Sequence, residues 1–157
     1  GHLVLSTLHT TTACGAIVRL INMGVEPFLI NSSVVCVMAQ RLLRKICPFC
    51  KEEVVIKDEI IKNLKLSIEG TKKPKFFHGR GCSRCFNLGY SGRLGIAEVL
   101  LLSLPVRDLI LAHSPDSLIK QQARKAGMRT LREEGIQVAL GGLTTLEEIL
   151  RLTVADS

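Results

Sequence analysis

The clearest chemical signal in the sequence is a set of four cysteines arranged as two C-x-x-C pairs. Cys47 and Cys50 stand in "CPFC", and Cys82 and Cys85 stand in "CSRC". Each C-x-x-C turn presents two thiolates at a spacing that suits tetrahedral coordination. Two such turns make a closed zinc site with no open position for water. The pattern therefore predicts structural zinc bound by all four thiolates, with a small inserted subdomain between the two pairs.

Other interpretations of the cysteines are less favoured. Redox chemistry at one pair is disfavoured because no thioredoxin-like βαβ pattern surrounds it. His78 could replace one thiolate as a ligand, but with four thiolates available a surface position is favoured. The other two cysteines, Cys14 and Cys36, lie among apolar residues in helical patterns, and we expect both to pack in the core.

A second candidate site lies near the start of the chain, in the stretch "LVLSTLHTTTACGA" at residues 3–16. Residues 3–8 form a short apolar run that predicts a buried strand, and His9 follows directly. In α/β sheets ligands gather beyond the carboxyl ends of strands, and a following helix N-terminus favours an anion. An alternative with equal support is a capping cluster with an incidental histidine, because Thr11 or Thr12 can cap the next helix.

Helices and short strands must position these residues. A first helix follows the threonines and ends at Gly24, which predicts a left-handed cap. Residues 26–46 predict a second helix, whose C-terminal end carries Arg41, Arg44 and Lys45. These cations complement the helix dipole, or alternatively contact a phosphate or a neighbouring subunit.

The rest of the chain predicts one strand and four helices. The charged stretch at 57–66 is expected to be helical, and residues 96–101 form a strand-like run. Four helices are then predicted to begin near Ser103, Ser114, Thr130 and Thr144, since each of these residues can cap a helix N-terminus.

Composition narrows the possible partners. The 157 residues carry a formal net charge of +7, which suits an anionic partner such as a nucleotide phosphate, a nucleic acid or an anionic membrane. Aromatic residues make up only 4%, and Trp is absent, which argues against single-stranded nucleic acid. No stretch approaches the length of a membrane span, and no signal peptide is recognised. The paired cysteines suggest a metal site in a reducing compartment.

Several blocks of the sequence, taken in order, resemble one family. The blocks are "GHLVLSTLHT", "RLINMGVEPFLI", "AQRLLRKICPFC", "GCSRC…GYSGRLGIAEVL", "GMRTLREEG" and "GLTTLEEILRLT". They resemble the C-terminal half of the general secretion pathway protein E-like ATPases of type II secretion and type IV pilus assembly. The resemblance covers nearly the whole chain.

The resemblance implies an α/β fold: the C-terminal part of a RecA-like P-loop ATPase domain, with an inserted tetracysteine zinc subdomain and a helical C-terminal bundle. We divide the chain accordingly into residues 1–46 (ATPase core), 47–89 (zinc subdomain) and 90–157 (strand plus helical subdomain). The family implies a cytoplasmic, hexameric motor, peripheral at the inner membrane. The resemblance also implies that hydrolysis of ATP, bound with Mg, powers pilus or pseudopilus assembly at that membrane. The implied partners are inner-membrane platform components, and no specific nucleic acid is implied.

The resemblance also implies roles for single residues. His9 corresponds to the histidine that faces the γ-phosphate, with Thr7, Thr10 and Arg41 as further nucleotide-binding candidates. The four paired cysteines correspond to the family's zinc motif. After "STLHT" this chain has Thr11 and Thr12 where the family often has Asn followed by Asp, Thr or Ser, and it has "FNLGY" where the family often has "NGTGY".

The P-loop motif G-x-x-x-x-G-K-[ST] does not occur in these residues. We expect it to lie upstream in a larger protein and this chain to be inactive by itself. The alternative function is a zinc-containing module that binds nucleic acid or docks a partner, which the net charge and the paired cysteines would also allow.

Overall fold

The computed structural model describes residues 1–63 and 74–155, which form a mixed α/β structure. The chain divides into two compact units. The first unit comprises residues 1–40 and 97–131, and the second comprises the described parts of 41–96 and 132–157. Among the described residues no helix is long and apolar enough to cross a membrane.

The elements follow one another in this order: α1 (Ala13–Asn22), α2 (Pro27–Ser33), β1 (Cys36–Ile46), β2 (Lys51–Val54), α3 (Asp58–Asn63), β3 (Phe76–Gly79), β4 (Tyr90–Leu101), α4 (Leu104–Leu111), α5 (Asp116–Lys125), α6 (Leu131–Leu140) and α7 (Leu146–Leu152). Strand β1 is hydrogen-bonded to β4, and β2 pairs antiparallel with β3 from Lys51 opposite Gly79 to Val54 opposite Phe76.

The first unit is built on helices that bury small and branched side chains. Helix α1 packs against α2 and α5 through its buried face, which includes Ala13, Ala16 and Ile17. Its N-terminus is capped by Thr12, whose Oγ1 accepts a hydrogen bond from the Gly15 amide at 3.1 Å. Gly24 follows the helix with φ +87°, which confirms the predicted left-handed residue.

A buried carboxylate on β4 organises the first unit. Glu98 is only 2% exposed, and its two oxygens accept hydrogen bonds from the Ala13 amide at 2.8 Å and the Leu131 amide at 3.2 Å. These are the first residues of α1 and α6. A single side chain therefore satisfies orphan amides at two helix N-termini, where the helix dipoles favour acceptor oxygens.

The strand predicted at residues 3–8 is not formed. Residues 1–10 have no regular secondary structure, and the side chains of Leu3, Val4 and Leu5 are largely exposed. A strand needs a neighbour to satisfy its backbone groups, and residues 3–8 pair with none of the described strands.

The single helix predicted over residues 26–46 is also wrong. The chain is helical only to Ser33 and continues as strand β1, whose inner face holds Ala39 and Leu43. These two residues and Ile46 are buried at intervals of four and three, which imitates a helical stripe. The cations Arg41, Arg44 and Lys45 therefore lie on a strand and cap no helix.

The incorrect helix prediction over residues 26–46 also gave one cysteine the wrong position. Cys36 begins β1 and is exposed, so the prediction that it packs in the core is wrong. Cys14 is buried in α1, as predicted, and burial raises the pKa of its thiol to about 12, so it remains protonated and chemically inert.

The C-terminal predictions are largely confirmed. Strand β4 includes the predicted residues 96–101 but begins at Tyr90, and four helices follow it. The caps differ in detail: Pro115 rather than Ser114 precedes α5, and Thr145 rather than Thr144 caps α7 by accepting from the Glu148 amide at 3.1 Å. The helix predicted at 57–66 is present as α3, and its last three residues lie outside the described residues.

Candidate functional site

The four paired cysteines meet in the second unit and form one compact cluster. Their sulfurs all lie within 4.8 Å of one another. Three sulfur pairs are separated by 3.9 Å (Cys47–Cys82), 3.9 Å (Cys50–Cys85) and 3.7 Å (Cys82–Cys85). A zinc ion about 2.3 Å from each of four tetrahedral sulfurs would separate the sulfurs by about 3.8 Å. The cluster is therefore compact enough to hold a four-thiolate metal ion.

Two loops carry these cysteines, and we call residues 47–50 and 82–89 the knuckle loops. Backbone hydrogen bonds hold the loops in place: the Cys47 amide donates to the Gly89 carbonyl at 3.0 Å, and the Arg80 amide donates to the Cys50 carbonyl at 2.9 Å. Strand β2 follows the first loop and β3 precedes the second, and the two strands pair with each other as a hairpin. Their positions are therefore fixed by the backbone as well as by any metal.

Close backbone contact explains two glycines at the base of this cluster. A Cβ placed on Gly79 would collide with the carbonyl group of Gly89, and a Cβ on Gly89 would collide with that of Gly79. Gly89 also has φ +75°, a conformation that side chains disfavour. Any larger residue at either position would push the loops apart and separate the sulfurs.

The environment of the sulfurs favours a thiolate at one of them. Burial raises the pKa of the Cys85 thiol, but the amides of Cys82 and Gly89, each 3.3 Å from its sulfur, outweigh burial and lower the pKa to about 6. Burial raises the pKa of Cys50 to about 12. A cation would neutralise the charge of the closely packed thiolates, as it does in structural zinc sites.

The turn after Cys85 has an unusual backbone. Phe86 (φ +51°) and Asn87 (φ +59°) are both left-handed, although neither is glycine. Asn87 stands where the family pattern has glycine, and asparagine tolerates this conformation better than most residues. In this chain the turn therefore forms with asparagine at this position.

His78, the alternative ligand, is exposed on β3 and does not belong to the four-sulfur cluster. A site with four thiolates needs no fifth ligand.

The candidate nucleotide residues lie in both units, three in the first and one in the second. Thr7 and His9 are exposed on the irregular N-terminal segment, and Thr10 is half-buried, its hydroxyl donating to the Thr12 carbonyl at 3.2 Å. Arg41 is half-buried on β1, in the second unit. Of the sequence-predicted site residues, the four cysteines are brought together.

Sequence reasoning missed one ionic cluster of the second unit. Glu148 is 1% exposed and accepts two hydrogen bonds from Arg44 Nε at 3.1 Å, one from Arg44 Nη2 at 2.7 Å and two from Arg151 Nη2 at 2.9 Å. Burial raises the pKa of Glu148, but the hydrogen bonds from the two arginines outweigh burial and lower the pKa to about 2. Arg44 also stacks on the Tyr90 ring at 4.1 Å.

In the sequence, only Glu148 indicated such a cluster, because it is a carboxylate among the apolar residues of a predicted helix. Its partner Arg44 lies about a hundred residues earlier, so nothing in the sequence could pair them. The cluster ties β1 to α7 within the second unit.

Taken together, these features define a class: a mixed α/β chain with a four-cysteine cluster that could hold a metal ion, next to a pair of antiparallel strands. The model of the Type II/IV secretion system protein family matches residues 1–151. The chain belongs to this family, as the sequence blocks had indicated.

Curated relatives agree with this assignment. The chain is 46% identical over 154 residues to the type IV pilus assembly ATPase PilB of Thermus thermophilus, covering 98% of the chain and 17% of that protein. It is 45% identical to type II secretion system protein E of Pseudomonas aeruginosa and 42% identical to type II secretion system ATPase E of Vibrio cholerae, each time over 98% of the chain and 30% of the relative. The chain thus spans less than a third of the length of these relatives.

Proposed function

We propose that this chain is the C-terminal part of a motor ATPase that powers pilus or pseudopilus assembly. The observation that carries the proposal is the match over nearly the whole chain to relatives named as secretion and pilus assembly ATPases. In this proposal residues 1–46 belong to a RecA-like ATPase core, residues 47–89 are the zinc subdomain, and residues 90–157 form the helical C-terminal subdomain.

The role of the four-cysteine site is to bind zinc and hold the inserted hairpin in place. Two observations support zinc over a redox role: the sulfur separations match a tetrahedral thiolate site, and backbone amides point at the Cys85 sulfur. With four thiolates the coordination is closed. The metal would therefore stabilise structure and would activate no water.

The role of His9 is to meet the γ-phosphate of ATP bound with Mg in the complete protein. Its exposure on a segment directly before the N-terminus of α1 supports this role, because an exposed imidazole at a helix start can reach an anion. Thr7 and Thr10 are proposed to contact the nucleotide from the same segment. Arg41 is proposed as a further nucleotide contact, from β1.

The complete protein is proposed to act as a hexamer on the cytoplasmic side of the inner membrane. It would contact membrane components of the secretion or pilus machinery there. The phosphate-binding loop is proposed to lie in the part of the protein that this chain does not span, so the chain alone should not hydrolyse ATP.

The proposal is tested by His9→Ala in the complete protein. A histidine at the γ-phosphate stabilises charge that develops during transfer, so turnover should fall about a hundredfold or more while nucleotide affinity changes little. The measurement is steady-state phosphate release together with binding of a fluorescent ATP analogue.

The matched control is His78→Ala, which removes an exposed histidine on β3 and should leave both quantities unchanged. Normal turnover in the His9 variant would remove His9 from the site. Full ATP turnover by the isolated 157-residue chain would contradict the proposed division of the active site.

A further inference from the structure

The segment that carries His9 is linked to the first turn of α1 by short-range hydrogen bonds. The Thr10 amide donates to the Leu8 carbonyl at 3.2 Å, so that His9 lies at the tip of a tight turn. The Thr10 hydroxyl donates to the Thr12 carbonyl at 3.2 Å. Thr12 in turn is the N-cap of α1. The position of His9 therefore depends on how firmly the first turn of α1 is held.

Two side chains from different parts of the sequence hold that turn. Thr12 caps it locally, since its Oγ1 accepts a hydrogen bond from the Gly15 amide at 3.1 Å. A Cβ on Gly15 would lie 2.9 Å from the same oxygen, so the lack of a side chain there leaves room for the cap. Glu98 holds the turn from strand β4, since its Oε1 accepts from the Ala13 amide at 2.8 Å. Two amides of one helical turn thus have side-chain acceptors.

The Glu98 carboxyl is itself held at both oxygens. While Oε1 accepts from Ala13, Oε2 accepts from the amide of Leu131, the first residue of α6, at 3.2 Å. The side chain is 2% exposed and shares the buried face of β4 with Leu100. In a packed core it cannot adopt another rotamer without leaving a buried amide unpaired. Glu98 is therefore a rigid support for α1, anchored at the start of α6.

An apolar side chain would fill position 98 in the core at least as well as a carboxyl does. Burying a carboxyl costs free energy, which its hydrogen bonds at best offset. What the carboxyl supplies here is a pair of acceptors for the N-termini of two helices. The chemistry of this position therefore indicates a requirement on where α1 begins, beyond the stability of the core.

We propose that Glu98 is a positioning residue for ATP hydrolysis: it fixes the first turn of α1 and thereby holds His9 where the γ-phosphate reacts. Glu98 acts through His9, so the inference rests on the function proposed for that histidine. Phosphoryl transfer depends steeply on the placement of groups around the phosphate, and an error of about 1 Å can cost about a hundredfold in rate. A support for His9 therefore matters more for turnover than for ATP affinity.

The test is a double-mutant cycle of Glu98 and His9 in the complete protein, with kcat and KM taken from steady-state phosphate release. Glu98→Gln keeps the shape of the side chain but leaves one of the two amides without an acceptor. We expect kcat to fall about tenfold while KM stays within about twofold, because an interaction made in the transition state is weakened. In the His9→Ala background the same substitution should lower kcat by less than about twofold, because no imidazole is left to misplace.

Further variants separate positioning from stability. Glu98→Asp is one methylene shorter, so its carboxyl is drawn back from the two amides, and it gives a second variant for the cycle. Thr12→Val removes the cap and should lower kcat about threefold, whereas Thr12→Ser keeps the hydroxyl and should retain the original kcat. Glu26→Gln, at an exposed residue of the first unit, is the control and should change neither kcat nor KM.

Circular dichroism must show that every variant compared is folded at the assay temperature. An unchanged kcat in folded Glu98→Gln would overturn the inference. So would an equal loss in both backgrounds, which would assign Glu98 to stability alone. Turnover lost in His9→Ala but kept in Glu98→Gln would refute the inference and leave the proposed function standing. Normal turnover in His9→Ala would contradict the role proposed for His9, and the inference would fall with it.

Discussion

The two candidate sites of this chain differ in where their parts are found. All four cysteines of the candidate metal site lie in residues 47–85, and the backbone that positions them lies in the same unit. The segment around His9 has its helix and its cap, but residues 3–8 pair with no described strand. The chain spans less than a third of the relatives it matches. A site whose residues are all close in sequence, such as the four-cysteine cluster, can be complete within such a stretch. A site that also needs residues from distant parts of a longer protein cannot.

The difference also concerns what holds each region in place. The knuckle loops are fixed by mutual hydrogen bonds and by a close approach of two glycines. At the far end of the N-terminal segment, Thr12 and the buried carboxylate of Glu98 hold the first turn of α1. Substitutions should therefore act on folding in the first region and on the start of one helix in the second.

The largest effect is expected from removing the metal. Cys50→Ser, or treatment with a strong chelator, should unfold the knuckle loops and the hairpin, because a structural zinc contributes on the order of 10 kcal/mol to local folding. Hydrogen exchange should rise in the described parts of residues 47–89 far more than in α1 and α5. Elemental analysis of the untreated protein should give about one zinc per chain.

Cys36→Ser provides the control, since this cysteine is exposed and outside the cluster. It should change neither zinc content nor exchange. A metal-free protein with full protection of the hairpin would show that hydrogen bonds alone hold the loops, and the contrast between the two regions would disappear.

The sequence predicted the clustering of the four paired cysteines because C-x-x-C spacing fixes the geometry of each pair locally. It predicted α1 and the C-terminal helices for a similar reason, since caps and glycines such as Thr12 and Gly24 act within a few residues. It failed where tertiary pairing decides. The segment from Val34 to Ile46 carries apolar residues at helical intervals, but its pairing with β4 makes it a strand.

Long-range polar contacts were equally out of reach of the sequence. Glu98 caps two helices that begin more than thirty residues away on either side. Glu148 binds an arginine from β1. No local spacing encodes either contact, so a buried carboxylate inside an apolar run is the only sign that a partner must exist.

An intermediate effect is expected at Glu148 and should depend on pH. Its pKa in the folded protein is about 2, below the value of about 4.3 for an unfolded Glu, so the unfolded state binds protons more readily. The stabilisation is fully present above about pH 5 and is lost as the pH falls towards 2. It amounts to about 1–3 kcal/mol, discounted because Arg44 and Arg151 are half exposed.

The measurement is chemical denaturation of the unsubstituted protein and of Glu148→Gln between about pH 3 and 7, roughly the range in which these pKa values matter. The free energies of unfolding of the two proteins should converge as the pH falls. Glu147→Gln, an exposed neighbour on the same helix, controls for net charge and for acid release of zinc. A constant difference across this range would mean that the ion pairs contribute nothing that titrates, and that Glu148 acts through packing alone.

The smallest effect is expected at Glu98, and it bears on the N-terminal side of the comparison. Glu98→Gln keeps one acceptor for the amides of Ala13 and Leu131 and turns the other oxygen into a donor. One buried amide then lacks a partner, which should lower the free energy of unfolding by about 1–2 kcal/mol.

The control is Glu26→Gln, the same substitution at an exposed residue of the first unit. It should change the free energy of unfolding by no more than about 0.5 kcal/mol. Hydrogen exchange should show the loss at the first turns of α1 and α6, while zinc content stays the same. With the role proposed for His9, the loosened turn should then lower ATP turnover of the complete protein through the segment that carries His9. Unchanged exchange at the start of α1 would mean that Thr12 alone anchors this segment.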